Sequence, residues 1–141
     1  MEQRRVVAGL AGIAAFALAW SGSKAFFSQR HVASPEVLAR VAAEMNKTLP
    51  MMVDKDTELS STIGISGVLV YNYRLVNHSA SDINPAQFTT AIKPQVTNAA
   101  CSTPETRDGF LKKGVSLRYM YADKDRTHVA TIDVAPRDCG L

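Results

Sequence analysis

The sequence predicts an α+β fold: a four-stranded antiparallel sheet made of two hairpins, with helices packed on one face, in the order α-ββ-αα-ββ. Three observations predict it. Apolar residues recur at helical spacing over residues 34–48 and 84–112. They alternate with polar residues over residues 57–77 and 115–134. Proline sits directly behind a capping side chain at Ser34-Pro35, Asn84-Pro85 and Thr103-Pro104, which is the signature of a helix start.

In the first helix Val37, Leu38, Val41, Ala42 and Met45 form an apolar stripe, with Arg40, Glu44 and Lys47 outside it, and Pro50 follows the predicted end near Thr48. The first hairpin begins at Thr57. Leu59, Ser61 and Ile63 are predicted to share one face, a joint spans Gly64 to Gly67, and Leu69, Tyr71, Tyr73 and Leu75 line the buried face of the returning strand. The second helix carries Phe88, Ala91, Ile92, Val96 and Ala99 as its stripe. Pro94 lies inside that stripe and removes one backbone donor, so a kink or break near Thr90 is expected. A shorter helix is predicted from Pro104 to Lys112, ending at Gly114. The last hairpin buries Val115, Leu117, Tyr119 and Tyr121, turns through Asp123 to Arg126, and returns with Ala130, Ile132 and Val134 inward.

The 141 residues leave room for one small domain, assigned to residues 35–141, once a leader and a linker at residues 26–34 are set aside. Residues 1–25 have the layout of a secretory segment: Arg4 and Arg5, an uncharged apolar run, then Ser23 and Ala25 as small residues before a cleavage point after Ala25. Left uncleaved, residues 6–23 are just long enough to anchor the chain in the inner membrane, with Trp20, Phe26 and Phe27 at the far interface. No cysteine follows the apolar run closely, so lipid anchoring is not predicted. Both readings place the domain in the bacterial periplasm.

Cys101 and Cys139 are the only cysteines, and an even count in an exported chain predicts one disulfide. The bridge would tie down a terminus that otherwise frays.

The formal net charge is +3, of which Arg4, Arg5 and Lys24 against Glu2 supply +2. The near-neutral remainder interleaves Lys55, Lys124 and Arg126 with Asp54, Asp56, Asp123 and Asp125, which argues against a nucleic-acid partner. His31, His78 and His128 stand at no helical ligand spacing and are expected on the surface, so no metal site is predicted. Asp54, Asp56 and Glu58 alternate like the start of a calcium loop but lack its glycine. Ser66 lies in Gly64-Ile65-Ser66-Gly67, not in a nucleophile elbow. There is no phosphate-cradling loop or dinucleotide fingerprint, so neither catalytic residues nor a cofactor are assigned.

Two apolar features are candidate binding elements. Met51, Met52 and Val53, or the outward side chains Val68, Val70 and Val76, could form an interaction surface for another envelope protein. Tyr71, Tyr73, Tyr119 and Tyr121 would cluster on adjacent strands, as core or as the lining of a pocket. The sequence reading is therefore a non-catalytic interaction or assembly module, with a periplasmic small-ligand or lipid-binding protein and an inhibitor or immunity-type protein as alternatives.

Overall fold

The computed structural model describes residues 33–141. The leader and most of the linker lie outside the described residues. The elements are α1 (Pro35–Asn46), β1 (Met51–Met52), β2 (Thr57–Ile65), β3 (Val68–Leu75), α2 (Pro85–Ser102), α3 (Pro104–Arg107), β4 (Ser116–Ala122) and β5 (His128–Val134), joined in part by short 3-10 turns. Among the described residues, no helix is long and apolar enough to cross a membrane.

The α+β class holds, but the sheet differs from the expectation in two ways. It has five strands in the order β1-β2-β3-β4-β5, and it is mixed, because β3 and β4 run parallel, with Tyr71 beside Tyr119 and Tyr73 beside Tyr121. Both predicted hairpins are present as antiparallel pairs, β2 with β3 and β4 with β5. Residues 76–115 join them and contain α2 and α3. A connection that long carries the chain back to the starting end of the sheet, which a parallel neighbour requires. The added strand, β1, is two residues long and pairs Met51 with Leu59 and Met52 with Glu58.

Helix α1 starts where the caps predict. Ser34 accepts the Val37 amide at 3.3 Å, and Pro35 occupies the first turn, where its missing N–H costs nothing. Its stripe of Val37, Leu38, Val41, Ala42 and Met45 is buried against β2. The approach is close at one point. A Cβ added to Gly64 would overlap the Leu38 carbonyl and lie 2.7 Å from the Ala39 nitrogen, so the strand presents a bare backbone to the helix there.

Strand β2 does not keep the simple alternation. Its register slips between Leu59 and Ser61, a bulge that adds one residue and reverses the facing of everything after it. Thr62 therefore points inward in place of Ser61 and Ile63, and Ile63 and Ile65 are 49% and 43% exposed on the outer face. The strand continues through Gly64 and Ile65, so the joint is shorter than predicted. Thr62 is held by Asn46. The side-chain amide donates to the Thr62 carbonyl at 3.0 Å, and its oxygen accepts the Thr62 amide at 2.7 Å. One side chain thus makes the two bonds that a neighbouring strand would make.

Helix α2 runs unbroken from Pro85 to Ser102, so Pro94 does not end it. Thr90 and Pro94 are both exposed. On an exposed helix face the carbonyl that loses its partner can be solvated, which lowers the cost of the missing bond. The buried stripe is Phe88, Ile92, Val96 and Ala100. The predicted third helix is shorter: α3 stops at Arg107, and a 3-10 turn at Leu111–Lys113 leads to Gly114, whose φ of 86° suits glycine.

Candidate functional site

The tyrosines stand on the helix-facing side of β3 and β4, at adjacent register positions, so the parallel pairing itself stacks them. Tyr71 and Tyr119 have centroids 5.2 Å apart at 9°, and Tyr73 and Tyr121 are 5.2 Å apart at 17°. Phe88 of α2 closes the stack edge-on against Tyr121 at 5.3 Å. All four are buried. Rings at this spacing are in mutual contact and leave no room for a ligand between them. Burial holds each of the four phenols well above its ordinary pKa, so they stay neutral. The Tyr121 hydroxyl is buried without a hydrogen-bond partner.

The two predicted apolar surfaces separate in space. Met51 and Met52 are 40% and 46% exposed on the short edge strand, while Val53 is half-buried against the core. Val68 and Val76 are half-buried, but Val70 is only 5% exposed and offers no free surface. It lies opposite Ile63 and beside Arg118, and those larger neighbours cover it.

The polar candidates disperse. Asp54 accepts the Asp56 amide, Asp56 accepts from the Asn77 side chain, and Glu58 lies on the outer face. Glu58 pairs with Arg74 there at 3.3 Å, and the Arg74 hydrogen bond lowers its pKa against a partial opposing effect of burial. The three carboxylates do not converge. Among the described residues no group of three or more His, Cys, Asp or Glu is placed to hold a metal ion. His78 is buried, unlike the surface position expected; its amide donates to the Leu75 carbonyl and its carbonyl accepts the Lys124 amide, which seats it between the end of β3 and the β4–β5 turn. His128 is exposed and bonds Thr131 at 2.8 Å. Ser66 is exposed at the hairpin tip, and His31 lies outside the described residues.

Asp123 is a structural knot. One carboxylate oxygen accepts the Ala80 amide at 2.8 Å, and the other accepts those of Asp125 and Thr127 at 2.8 Å each. These bonds, with that from Ala80 foremost, hold its pKa below the ordinary value. They join the β4–β5 turn to the segment after β3.

A surface groove of about 800 Å³ was not anticipated from sequence. It runs between the exposed face of α2 and the C-terminal turn Pro136–Cys139, and Thr89, Lys93, Pro94, Thr97, Cys101 and Cys139 line it. The Cys101–Cys139 disulfide, with Cα atoms 5.3 Å apart, forms one end and holds the turn beside the helix. The signal in the sequence was faint: a helix face of threonines and one lysine reads as ordinary solvated surface. A smaller, more enclosed depression of about 280 Å³ on the outer sheet face has Asn72, Arg74, Arg126 and His128 around it.

No family model matches the chain, and no curated protein sequence matches it. Solved structures do share its fold. One is a protein of Pseudomonas aeruginosa inferred to be secreted, 20% identical, with a TM-score of 0.63 over 79% of this chain and 97% of that one. Another is a pilotin of the type II secretion system of Vibrio vulnificus, 12% identical, with a TM-score of 0.60 over 74% of this chain and 90% of that one. A third is a type II secretion pilotin of Vibrio cholerae, 14% identical, with a TM-score of 0.57 over 79% and 94%. At these identities the shared property is the overall fold, to which nearly the whole of each neighbour corresponds.

Proposed function

We propose that the chain is a non-catalytic interaction module of a bacterial cell envelope, exported by residues 1–25 and serving as an assembly factor of the pilotin kind. The observation that carries this reading is the match of the domain to two pilotins over 90% and 94% of their lengths. The groove along α2 supports it as the docking surface. It is open and lined mainly by apolar atoms, and it carries two charged side chains, Lys93 and Asp138. A mixed lining of this kind suits a partner segment with one apolar face. Met51 and Met52 form a second, smaller candidate surface on the β1 edge.

A photo-crosslinking residue at Lys93 tests the reading in the native envelope. The expected product joins the chain to a component of an envelope secretion system, and Thr97→Trp, which fills the groove, abolishes it while the melting temperature is kept. Products that are unchanged by Thr97→Trp, or that contain no envelope protein, reject the proposal.

A further inference from the structure

The bulge in β2 turns Ile63 and Ile65 to the outer face, and they are among the most exposed large apolar side chains described. Val68 stands opposite Ile65 in the register and is half-buried. The three make an apolar patch beside the β2–β3 tip. The chain joins the domain at this same tip, because the Ala33 carbonyl accepts the Gly67 amide at 3.2 Å. Between Ala25, where the apolar leader ends, and Ala33 lie seven residues, numbers 26–32. Fully extended, that stretch spans at most about 30 Å. The opposite end of the sheet is acidic: Asp54, Asp56, Asp82, Asp123 and Asp125 outnumber Lys55, Lys124 and Arg126 in its loops.

We infer that the tip end of the domain rests on the lipid bilayer that holds residues 6–23, with Ile63, Ile65 and Val68 in contact with its interfacial region. The inference rests on the export reading above and requires that the leader be kept as an anchor. A short tether fixed at the tip gives this patch a high effective concentration at the membrane and gives the far end a low one. Two isoleucines bind a bilayer weakly by themselves, and the tether makes a weak contact sufficient. An anionic leaflet repels the acidic far end and reinforces the orientation. Phe26 and Phe27, directly after the apolar run, are residue types that favour the same interfacial depth.

The full-length chain in vesicles of phosphatidylethanolamine with a minor share of phosphatidylglycerol tests this. An environment-sensitive fluorophore is attached at Ser66→Cys or, as a control, at Lys124→Cys, and headgroup spin-labelled lipid serves as quencher. Quenching several-fold stronger at position 66 than at 124 is expected, with the difference lost in Ile63→Ser/Ile65→Ser. Equal quenching at both positions, or a difference that survives the double substitution, overturns the inference. So does a position-66 cross-link to a protein in cells without quenching in vesicles. Both isoleucines are exposed, and an unchanged melting temperature confirms that the double variant is folded. The N-terminal mass of protein taken from envelopes separates the two proposals. A chain beginning at Phe26 overturns the membrane contact and leaves the groove-mediated interaction standing.

Discussion

Gly64→Ala is a one-methyl substitution that should cost as much as a large-to-small truncation in the core. In β2 the residue faces the α1 backbone, and the new Cβ would overlap the Leu38 carbonyl and sit 2.7 Å from the Ala39 nitrogen. Backbone atoms of a hydrogen-bonded helix cannot rotate aside. The helix must retreat by about 1 Å, opening gaps beneath the side chains it buries. Leu38 and Val41 are fully buried and Met45 nearly so, so small losses at each accumulate. Overpacking costs about 1–3 kcal/mol where side chains can adjust, and we expect the upper end, about 3 kcal/mol. For a domain of this size that lowers the melting temperature by on the order of 15 °C. Thermal unfolding followed by far-ultraviolet circular dichroism measures it. Asn46 should report the same event locally, since a displaced α1 pulls its side chain from Thr62 and exposes the Thr62 amide to hydrogen exchange. A melting temperature within about 2 °C of the parent would refute the close-approach argument.

Three further outcomes follow from the same structure. Replacing Cys101 and Cys139 together by serine removes a cross-link of sequence separation 38. Chain entropy sets its loss at about 4 kcal/mol, read as a lower urea midpoint, and a drop below about 1 kcal/mol would contradict it. Tyr121→Phe removes a buried hydroxyl that has no partner, so stability should stay level or rise by up to about 1 kcal/mol; clear destabilisation in urea would reveal a bond not seen here. Asp123 has a lowered folded pKa, so its contribution is full above the ordinary carboxylate pKa and is lost as pH falls through the folded value. Urea midpoints of the parent should fall between about pH 4 and pH 2, and those of Asp123→Asn should fall less; parallel curves would contradict the assignment.

The elements themselves were legible because their signals are local. The Ser34-Pro35 and Asn84-Pro85 caps and the stripes beginning at Val37 and Phe88 lie within single turns, and the alternation from Val115 to Tyr121 is regular. The facing of β2 was not legible, because a bulge at Ser60 leaves a polar Ser-Ser-Thr run in which no apolar residue marks the change of phase. The parallel β3–β4 pairing is a relation between distant segments. Its trace was the length of residues 76–115, longer than two successive hairpins need. Pro94 marks one lost backbone bond in the sequence but does not say whether the helix continues past it, and α2 does continue to Ser102. The α2 groove escaped notice because it is made by a helix face and a C-terminal turn that are distant in sequence and meet only in the folded chain, where the disulfide and the packing of α2 on β5 bring them together.

Asn46 also sets a limit on how these sheets could grow. On one side, β1 covers two residues of β2 and the Asn46 amide fills the backbone positions at Thr62. On the other side, β5 has a neighbour along one edge only. The edge strand β1 is only two residues long, so β5 is the longer free edge among the described residues, and a second copy pairing there like with like, β5 against β5, would use up that edge in both. The side chain that anchors α1 to β2 thus also narrows that edge of the sheet, leaving the two residues of β1 as its paired stretch.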